Sequence, residues 1–501
     1  MANDKDDDGH KAIPTSRVGR FARVARMASG VAGGMLAEGT RQLRAGKRPK
    51  ARDMLMTPAN ARRVADQLAT MRGAAMKVGQ ILSMDTGDFL PRELADILAR
   101  LRSEARYMPP QQLHQVMSEA YGEDWESLFY GFEAKPLAAA SIGQVHRAVL
   151  HDGTDVVVKV QHAGIEDRVQ NDLEILIELA KLAEKYSPEI ARYNPTATAK
   201  EFRKTLLDEL DFTREQRNLT RFAVNFKAEP GVMFPAPHLG CCTQRVLTMD
   251  ALHGISVSKR EVLVASGYDL TDVARRGADM FLEMVFRDGF YHADPHPGNL
   301  MVLQDAVIGV LDCGMVGRVD EELREQIEDL LIAAIDKDAD RLLDAVVQLG
   351  ELPANFDRSQ LRSDLVEFID EYGSQSIDQF DLGGALNGMT EIIRQHHILL
   401  PSRVSLLIKM LVMLEGTAQQ LNPDFSIAEL LEPYRVEAVK RRLSPQRMLR
   451  KLQNTHRDWS RLVESLPGDL SDIVNRIRRG SFDVHLEHRR LDSIVNRLVL
   501  G

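Results

Sequence analysis

Apolar residues along this chain follow two different spacings, and the change between them divides the sequence. Between residues 136 and 160 the pattern is strand-like and ends in the run Val156 to Val160. Elsewhere apolar side chains recur every three or four residues, the spacing of amphipathic helices. The helical spacing covers 57–130, 198–227, 271–288, 320–349, 359–373, 385–397, 402–421 and 427–442. We therefore expect an α+β protein in which a β-rich part precedes a helical one.

The same changes of pattern predict two lobes with additions at both ends. A strand at 246–249 leads into a linker at 250–254, which would pass between the lobes. The predicted parts are a flexible N-terminus at 1–56, a helical extension at 57–130, a β-rich lobe at 131–250, a helical lobe at 251–440 and a helical tail at 441–501. If a nucleotide binds between the lobes, Met249 at the linker would contact it.

The N-terminal segment predicts a short basic amphipathic helix. From Ser16 onward, Arg20, Arg23 and Arg26 fall on one side of a helical wheel, and Phe21 lies on the other. Such a helix is compatible with peripheral contact with an anionic membrane surface. A solvated helix that docks on the protein itself explains the pattern equally well.

Composition sets limits on the class of protein. The chain has 501 residues, 44% of them hydrophobic and 27% charged, which is ordinary for a globular protein of several structural units. A net charge of -9 argues against a general nucleic-acid binder. Three cysteines, with Cys241 adjacent to Cys242, form neither a disulfide framework nor a CxxC metal site. A reducing cytoplasm is the expected compartment.

No apolar run in the sequence reaches the ~18 residues that a membrane-spanning helix needs. The richest run, which begins at Ser405, carries Lys409 in its middle and predicts a buried core helix. The N-terminus opens with acidic residues instead of a signal peptide. We expect a cytoplasmic protein, with any membrane contact peripheral and at the inner face.

The candidate chemistry centres on residues 290–317. There Asn299 follows Asp294 after five positions. Asp312, the first residue of an Asp-Cys-Gly triplet, follows Asp294 after eighteen positions. A phosphoryl-transfer site needs such a set, because one carboxylate accepts the nucleophile's proton while an amide and a second carboxylate hold Mg²⁺. The spacing predicts that Asp294 is the catalytic base and that Asn299 and Asp312 are the metal ligands.

Two other interpretations of this stretch stay open at the sequence level. Asp, Pro, Gly and Asn are common in ordinary turns, so 294–299 alone predicts a turn more often than a catalytic loop. His292, Asp294 and His296 alternate in a way that could imitate a metal cluster. The absence of a further His or Cys cluster in the nearby sequence makes the metal cluster the weaker interpretation.

Upstream, the sequence contains the frame of a phosphate-binding loop. The loop residues are Ala138, Ala139, Ala140, Ser141, Gly143 and Val145, in the frame G-x-G-x-x-G-x-V with the first two glycines replaced by alanine. A hairpin signal, Asp152-Gly153, then precedes Lys159, which stands at the position of the strand lysine that holds α and β phosphates. These backbone groups and Lys159 are the predicted nucleotide contacts.

The lysine needs a carboxylate partner, and the helical stretch at 198–227 offers two. If that helix is continuous, Glu209 and Glu215 lie roughly 120° apart around its axis and serve different cations. We assign Glu215 to Lys159 and leave Glu209 for another cation. The alternative is that both acids pair locally with arginines on the helix surface, which contributes only a few tenths of a kcal/mol.

Taken together, these motifs resemble the AarF/UbiB atypical kinase family, in its branch associated with coenzyme Q biosynthesis. The resemblance rests on Lys77-Val78-Gly79-Gln80, the alanine loop, Lys159, Glu209-Leu210-Asp211, HADPHPGN and LDCG in this order, over roughly residues 57–440. It implies a protein-kinase-like fold whose KxGQ extension covers the active site. By the family pattern, Lys77 pairs with Glu209, Gln80 points into the pocket, and these residues with Asp211 gate access.

The resemblance also implies an activity. Family members are expected to use Mg-ATP, for hydrolysis or for phosphotransfer to a small or lipid-like acceptor, in support of ubiquinone synthesis. Because alanine is strained where glycine adopts positive φ, the alanine loop should take another shape over the phosphates. That change and the covering extension argue against phosphorylation of a large protein. Quinone-biosynthesis proteins are the partners that the resemblance suggests.

One feature departs from the family pattern, and two rival functions remain. Members of the UbiB branch carry membrane-spanning segments at the C-terminus, whereas this sequence ends at Leu500-Gly501 with none. A small-molecule kinase of the aminoglycoside or choline type would share the Asp-Asn-Asp set without needing Lys77 or Gln80. A nucleotide-gated scaffold without catalysis would also keep the metal ligands.

Overall fold

The computed structural model describes residues 107–139, 142–186, 195–353, 355–373, 375 and 380–431, with a few isolated residues besides. Several predictions fall outside these residues. They concern the basic N-terminal helix, Lys77 and Gln80, Ala140 and Ser141, and the tail at 441–501.

A five-stranded antiparallel sheet forms the first lobe, with β4 between β3 and β6. Lys159 of β4 lies opposite Val145 on β3 and Leu247 on β6. The strands are β1 (Gly131–Phe132), β2 (Ala138–Ala139), β3 (Gly143–Val149), β4 (Asp155–Gln161) and β6 (Val246–Asp250).

The first lobe has its own hydrophobic core. Helix α1 (Pro110–Tyr121) lays Val116 and Met117 against the valines of β4, and Trp125 from the following turn closes the cluster. Leu113 and Val116 to Met117 recur at helical spacing, so one face of α1 is apolar. The described part of the predicted 57–130 extension therefore packs on the sheet of this lobe.

Three helices follow β4, and one prediction about them is wrong. They are α2 (Ile165–Tyr186), α3 (Pro195–Glu209) and α4 (Phe212–Asn225). The sequence pattern predicts no helix at α2 and a single helical stretch at 198–227. The helix is interrupted at Leu210 and Asp211. Glu209 and Glu215 therefore lie on different helices, and the predicted separation of roughly 120° around one axis does not apply.

The break has a local physical cause. The Asp211 side chain accepts hydrogen bonds from the backbone N–H of Thr213 at 3.0 Å and from its hydroxyl at 2.6 Å, which caps a new helix. Leu210 is buried, and the backbone N–H of Phe212 donates to the carbonyl of Gln244 at 2.9 Å. The backbone at the break thus bonds to the segment before β6 instead of continuing the helix.

The predicted linker is present between β6 and a second sheet. Residues 251–254 connect β6 to β7, which belongs to a four-stranded sheet of order β5-β10-β9-β7. A separate antiparallel pair joins β8 to β11. The strands are β5 (Val232–Met233), β7 (Ile255–Ser256), β8 (Phe290–His292), β9 (Leu300–Val302), β10 (Ile308–Val310) and β11 (Val316–Arg318).

Helices make up most of the second lobe. They are α5 (Arg260–Ala265), α6 (Leu270–Phe286), α7 (Glu321–Ile335), α8 (Ala339–Leu349), α9 (Arg358–Tyr372), α10 (Leu382–Gln395) and α11 (Ser402–Leu421). The predicted helix at 320–349 is two helices, because Lys337 adopts a φ of 55° and Asp338 caps the second one by accepting from the Arg341 N–H. The predicted helix at 427–442 lies mostly outside the described residues.

Helix α11 is a core element of this lobe, as the sequence predicted for the run beginning at Ser405. Met410 and Leu414 are buried, and α11 packs against α6 and α10. Among the described residues, no helix is both long enough and apolar enough to cross a membrane.

Candidate active site

The site begins with a buried ion pair between the two elements that the sequence singled out. Strand β4 carries Lys159 and helix α4 carries Glu215; the side chains are 8% and 5% exposed. The ammonium lies 2.8 Å and 3.0 Å from the two carboxylate oxygens. The ion pair predicted between these residues is therefore present.

Burial and neighbouring charges act on both members of this pair. Burial raises the pKa of Glu215, and the Asp312 carboxylate raises it further, while Lys159 opposes both. For Lys159 burial lowers the pKa, but Asp312 and Glu215 outweigh it and hold the pKa above its ordinary value. Lys159 is consequently a fixed cation over the whole physiological pH range.

Asp312 supplies the second carboxylate against the same lysine. Its Oδ2 lies 3.1 Å from the Lys159 Nζ, and the Asp312 side chain is 46% exposed. Its Oδ1 accepts the backbone N–H of Gly314 at 2.8 Å, within the turn that follows β10. Lys159 thus lies between the buried carboxylate of Glu215, which orients it, and the half-exposed carboxylate of Asp312.

Asp294 and Asn299 meet within one short loop. The Asn299 amide nitrogen donates to the Asp294 carboxylate at 2.9 Å and to the Asp294 carbonyl at 3.2 Å. A 3-10 turn at Pro297–Asn299 closes the loop, and both side chains are half-buried. The five-residue spacing therefore places a carboxylate and an amide side by side.

His292 joins this loop to the Asp312 turn, which the sequence analysis did not foresee. Its Nδ1 accepts the backbone N–H of Asp294 at 3.0 Å, and its Nε2 bonds the carbonyl of Asp312. This pairing assigns the neutral tautomer with hydrogen on Nε2. Burial lowers the pKa of His292, which favours the same neutral form.

The histidine metal cluster is not present among the described residues. The Nδ1 of His296 accepts the backbone N–H of Gly298 at 3.0 Å. The described part of the chain contains no group of three or more His, Cys, Asp and Glu side chains that could hold a metal.

The oxygen atoms of Asn299 and Asp312 nevertheless fit Mg²⁺. Because Asn299 uses its amide nitrogen to bond Asp294, its amide oxygen is the atom left for a metal. Magnesium prefers oxygen ligands and is held by one or two carboxylates together with substrate phosphates. A complete protein cage is therefore not required.

The phosphate-loop residues have a shape different from a glycine loop where they are described. Ala138 and Ala139 form β2, paired with Val145 and Gln144. Gly143 is the first residue of β3, and a Cβ there would overlap the backbone carbonyl of Val160. Gly143 is thus explained by the close approach of two strands, since its φ is not positive.

The structure also places three other predicted site residues: Met249, Glu209 and Asp211. Met249 is buried in β6, one residue before the end of the strand at the linker. Glu209 is the last residue of α3 and half-buried, and Asp211 is the cap of α4. Since Lys77 lies outside the described residues, the Lys77–Glu209 pair and the gating roles stay predictions.

Two residues near the site were missed by sequence reasoning. Asn218 lies one turn after Glu215 and donates its amide to the carbonyl of Cys313 at 2.9 Å. Thr417 of α11 donates its hydroxyl to the carbonyl of Pro295 at 2.8 Å. Helical spacing could have placed Asn218 on the face of Glu215, whereas no sequence signal connects Thr417 with residue 295.

Lys159 lies between the Glu215 carboxylate and the turn at Asp312, beside the loop of Asp294 and Asn299 and between the two lobes. This arrangement defines the protein-kinase-like class. Comparison with known families agrees: residues 100–346 match the ABC1 atypical kinase-like domain, and residues 365–426 match the UbiB helical domain. The chain belongs to the UbiB family of atypical kinase-like proteins, which confirms the resemblance inferred from its motifs.

Named relatives support the family assignment, and one solved structure supports the fold. The probable protein kinase UbiB of Pseudomonas aeruginosa PAO1 is 32% identical over 382 residues, which cover 75% of this chain and 72% of the relative. The Azotobacter vinelandii protein of the same name is 31% identical over 402 residues, covering 79% and 75%. The Rv3197–erythromycin complex from Mycobacterium tuberculosis matches in fold, with a TM-score of 0.51, 22% identity, and coverage of 74% of this chain and 95% of that one. The α+β kinase-like fold is thereby confirmed.

Proposed function

We propose that this chain is an atypical kinase-like ATPase or phosphotransferase that uses Mg-ATP. The observation that carries the proposal is the position of Lys159, within 2.8 Å of Glu215 and 3.1 Å of Asp312. A cation fixed between an orienting carboxylate and a metal-binding carboxylate is the arrangement that phosphoryl transfer requires.

Each side chain has a role that follows from its surroundings. Lys159, oriented by Glu215, binds the α and β phosphates with its ammonium group. Asn299 and Asp312 would hold Mg²⁺, which would neutralise the charge of the phosphate oxygens. Asp294 accepts the proton of an attacking hydroxyl or water molecule.

The loop geometry supports this division of roles. The Asn299 amide nitrogen donates to the Asp294 carboxylate at 2.9 Å, so one side chain both orients the base and presents an oxygen to the metal. The Asp312 carboxylate is half-exposed, which leaves it accessible to a bound metal. Met249 at the linker and the strands around Gly143 would line the adenine and phosphate ends.

The acceptor and the cellular setting are proposed from the family relationship. Because the similar bacterial proteins carry the name UbiB, we place this activity in support of ubiquinone biosynthesis, through a small or lipid-like acceptor or through ATP hydrolysis. Proteins of quinone biosynthesis are the partners this predicts. The basic segment around Arg20 and Arg23 would bring the protein to the inner face of an anionic membrane.

The experiment is phosphate release from Mg-ATP by purified protein, with and without anionic liposomes, beside the Asp312→Asn variant. We expect release by the wild type, an increase with liposomes, and a loss of at least about 100-fold in the variant because the metal ligand is weakened. Nucleotide binding without release under either condition would contradict the enzyme and favour a nucleotide-gated scaffold.

A further inference from the structure

Helix α4 contacts the metal-binding turn through two side chains, not one. Glu215 and Asn218 are three residues apart, so they lie on the same face of the helix. The Asn218 amide nitrogen donates to the carbonyl of Cys313 at 2.9 Å. Burial raises the pKa of the nearby Glu215 carboxylate overall, while the backbone N–H of the same Cys313 lowers it. Helix α4 therefore bonds the carbonyl of the residue after Asp312 directly, through Asn218.

The Asn218 bond restrains the peptide group that follows Cys313, while the bond from His292 to the Asp312 carbonyl restrains the one that precedes it. The preceding peptide belongs to Asp312, and the following one carries the Gly314 N–H that binds the Asp312 carboxylate at 2.8 Å. The Cys313 side chain is fully buried and small, and its thiol is only a weak hydrogen-bonding group. The Asn218 bond therefore acts on the Asp312 carboxylate through the peptide group that joins the Cys313 carbonyl to the Gly314 N–H.

We propose that Asn218 is a positioning residue for the magnesium site, acting through the Cys313 carbonyl on the metal ligand Asp312. This inference rests on the proposed use of Mg-ATP. The role requires a donor at this position, because the carbonyl offers only lone pairs. Helix α4 then carries both Glu215, the partner of Lys159, and the residue that positions the metal ligand Asp312.

The expected size of the effect follows from how metal sites are tuned. Partners that orient metal ligands cost about 10- to 100-fold in metal affinity when they are removed. Asn218 is half-buried, so a substitution there need not disturb the core. We therefore expect a large change in metal binding and a small one in metal-free nucleotide binding.

Three variants separate positioning from general structure. Asn218→Leu removes the donor, while Asn218→His keeps one, because the imidazole Nδ1 occupies the place of the amide nitrogen. Asn225→Leu is the matched control, since Asn225 lies two turns further along α4 and bonds Arg287 only through its backbone carbonyl.

The first readout is the affinity for Mn²⁺ in the presence of ADP, from the electron paramagnetic resonance signal of free Mn²⁺. We expect Asn218→Leu to weaken Mn²⁺ binding about tenfold or more, with metal-free ADP affinity within twofold. Asn218→His should recover most of the metal affinity, and Asn225→Leu should match the wild type. Unchanged Mn²⁺ affinity in Asn218→Leu, or an equal loss of metal-free ADP binding, would overturn the positioning role.

The second readout needs no nucleotide. Amide hydrogen exchange of the peptide containing residues 312–318 should be faster in Asn218→Leu than in wild type and unchanged in Asn225→Leu. Equal exchange rates would show that the bond from Asn218 to the Cys313 carbonyl does not restrain the turn, which overturns the inference. A wild type that binds no Mn²⁺ with ADP, but shows the exchange difference, would instead remove the proposed function and with it the role at a magnesium site.

Discussion

At the scale of single residues, the site depends on one lysine with two acidic neighbours in different environments. Glu215 is nearly inaccessible at 5% exposure, whereas Asp312 is 46% exposed. Removing one member of a buried ion pair costs more than the pair contributes, because the other charge is left uncompensated. The same residues therefore determine both stability and chemistry.

We predict that Lys159→Met lowers the free energy of unfolding by about 3 kcal/mol at pH 8, because Glu215 loses its cation. Adding Glu215→Gln should recover most of this loss. Lys181→Met is the control: it removes an exposed pair with Glu178 and should cost under about 1 kcal/mol. Urea unfolding gives the stability of wild type, the two single variants and the double variant. A double variant no more stable than Lys159→Met would contradict the pairing of Lys159 with Glu215.

The same variant should show a characteristic pH dependence. Lys159 holds down the pKa of Glu215, so its removal raises the folded-state pKa further above the unfolded value. The folded variant then takes up a proton that the unfolded chain does not, and its stability rises as pH falls through that pKa. The deficit of Lys159→Met relative to wild type should be largest above pH 8 and shrink on acidification. A deficit independent of pH would exclude an ionised Glu215.

At the scale of elements, sequence pattern predicted the helices and strands better than their breaks. Apolar spacing located the second-lobe helices from α6 to α11 but not the short helix α5, and motif order paired Lys159 with Glu215. The break at Asp211 escaped notice because a capping aspartate and a helix-interior aspartate look alike in one sequence. Contacts across the fold, such as Asn218 with Cys313, depend on tertiary packing that periodicity does not encode.

Gly143 gives a prediction at this scale. Because a Cβ at Gly143 would overlap the Val160 carbonyl, Gly143→Ala must push β3 from β4 beside the lysine. We expect a loss of about 1–3 kcal/mol in the free energy of unfolding. Gly131→Ala in β1 is the matched control, since its Cβ meets nothing within 4 Å. A Gly143→Ala protein as stable as Gly131→Ala would refute the close-approach explanation.

At the scale of the whole molecule, helix α11 is hydrogen-bonded to the loop at 294–299. Thr417 lies in the segment that matches the UbiB helical domain, and its buried hydroxyl bonds the carbonyl beside Asp294 at 2.8 Å. This contact spans 122 residues of sequence. Changes in the helical domain can therefore reach the loop that carries Asp294 and Asn299, the proposed base and the proposed metal ligand.

We predict that Thr417→Val lowers the rate of phosphate release about tenfold, with the KM for ATP within twofold, because a misplaced base slows only the chemical step. Thr417→Ser should restore the rate by returning the hydroxyl. Thr390→Val is the control, since Thr390 bonds a carbonyl within its own helix at 2.7 Å. Steady-state kinetics decide the matter, and a loss equal in Thr417→Ser and Thr417→Val would argue against the hydrogen bond.

The proposed Mg-ATP site is tested most directly by equilibrium binding of ATP by titration calorimetry, with and without Mg²⁺, in wild type and in Asp312→Asn. We expect wild type to bind ATP more tightly with Mg²⁺, and the variant to keep metal-free binding while losing the gain from the metal. Binding that does not respond to Mg²⁺ in the wild type, or no binding of ATP at all, would contradict the proposed site.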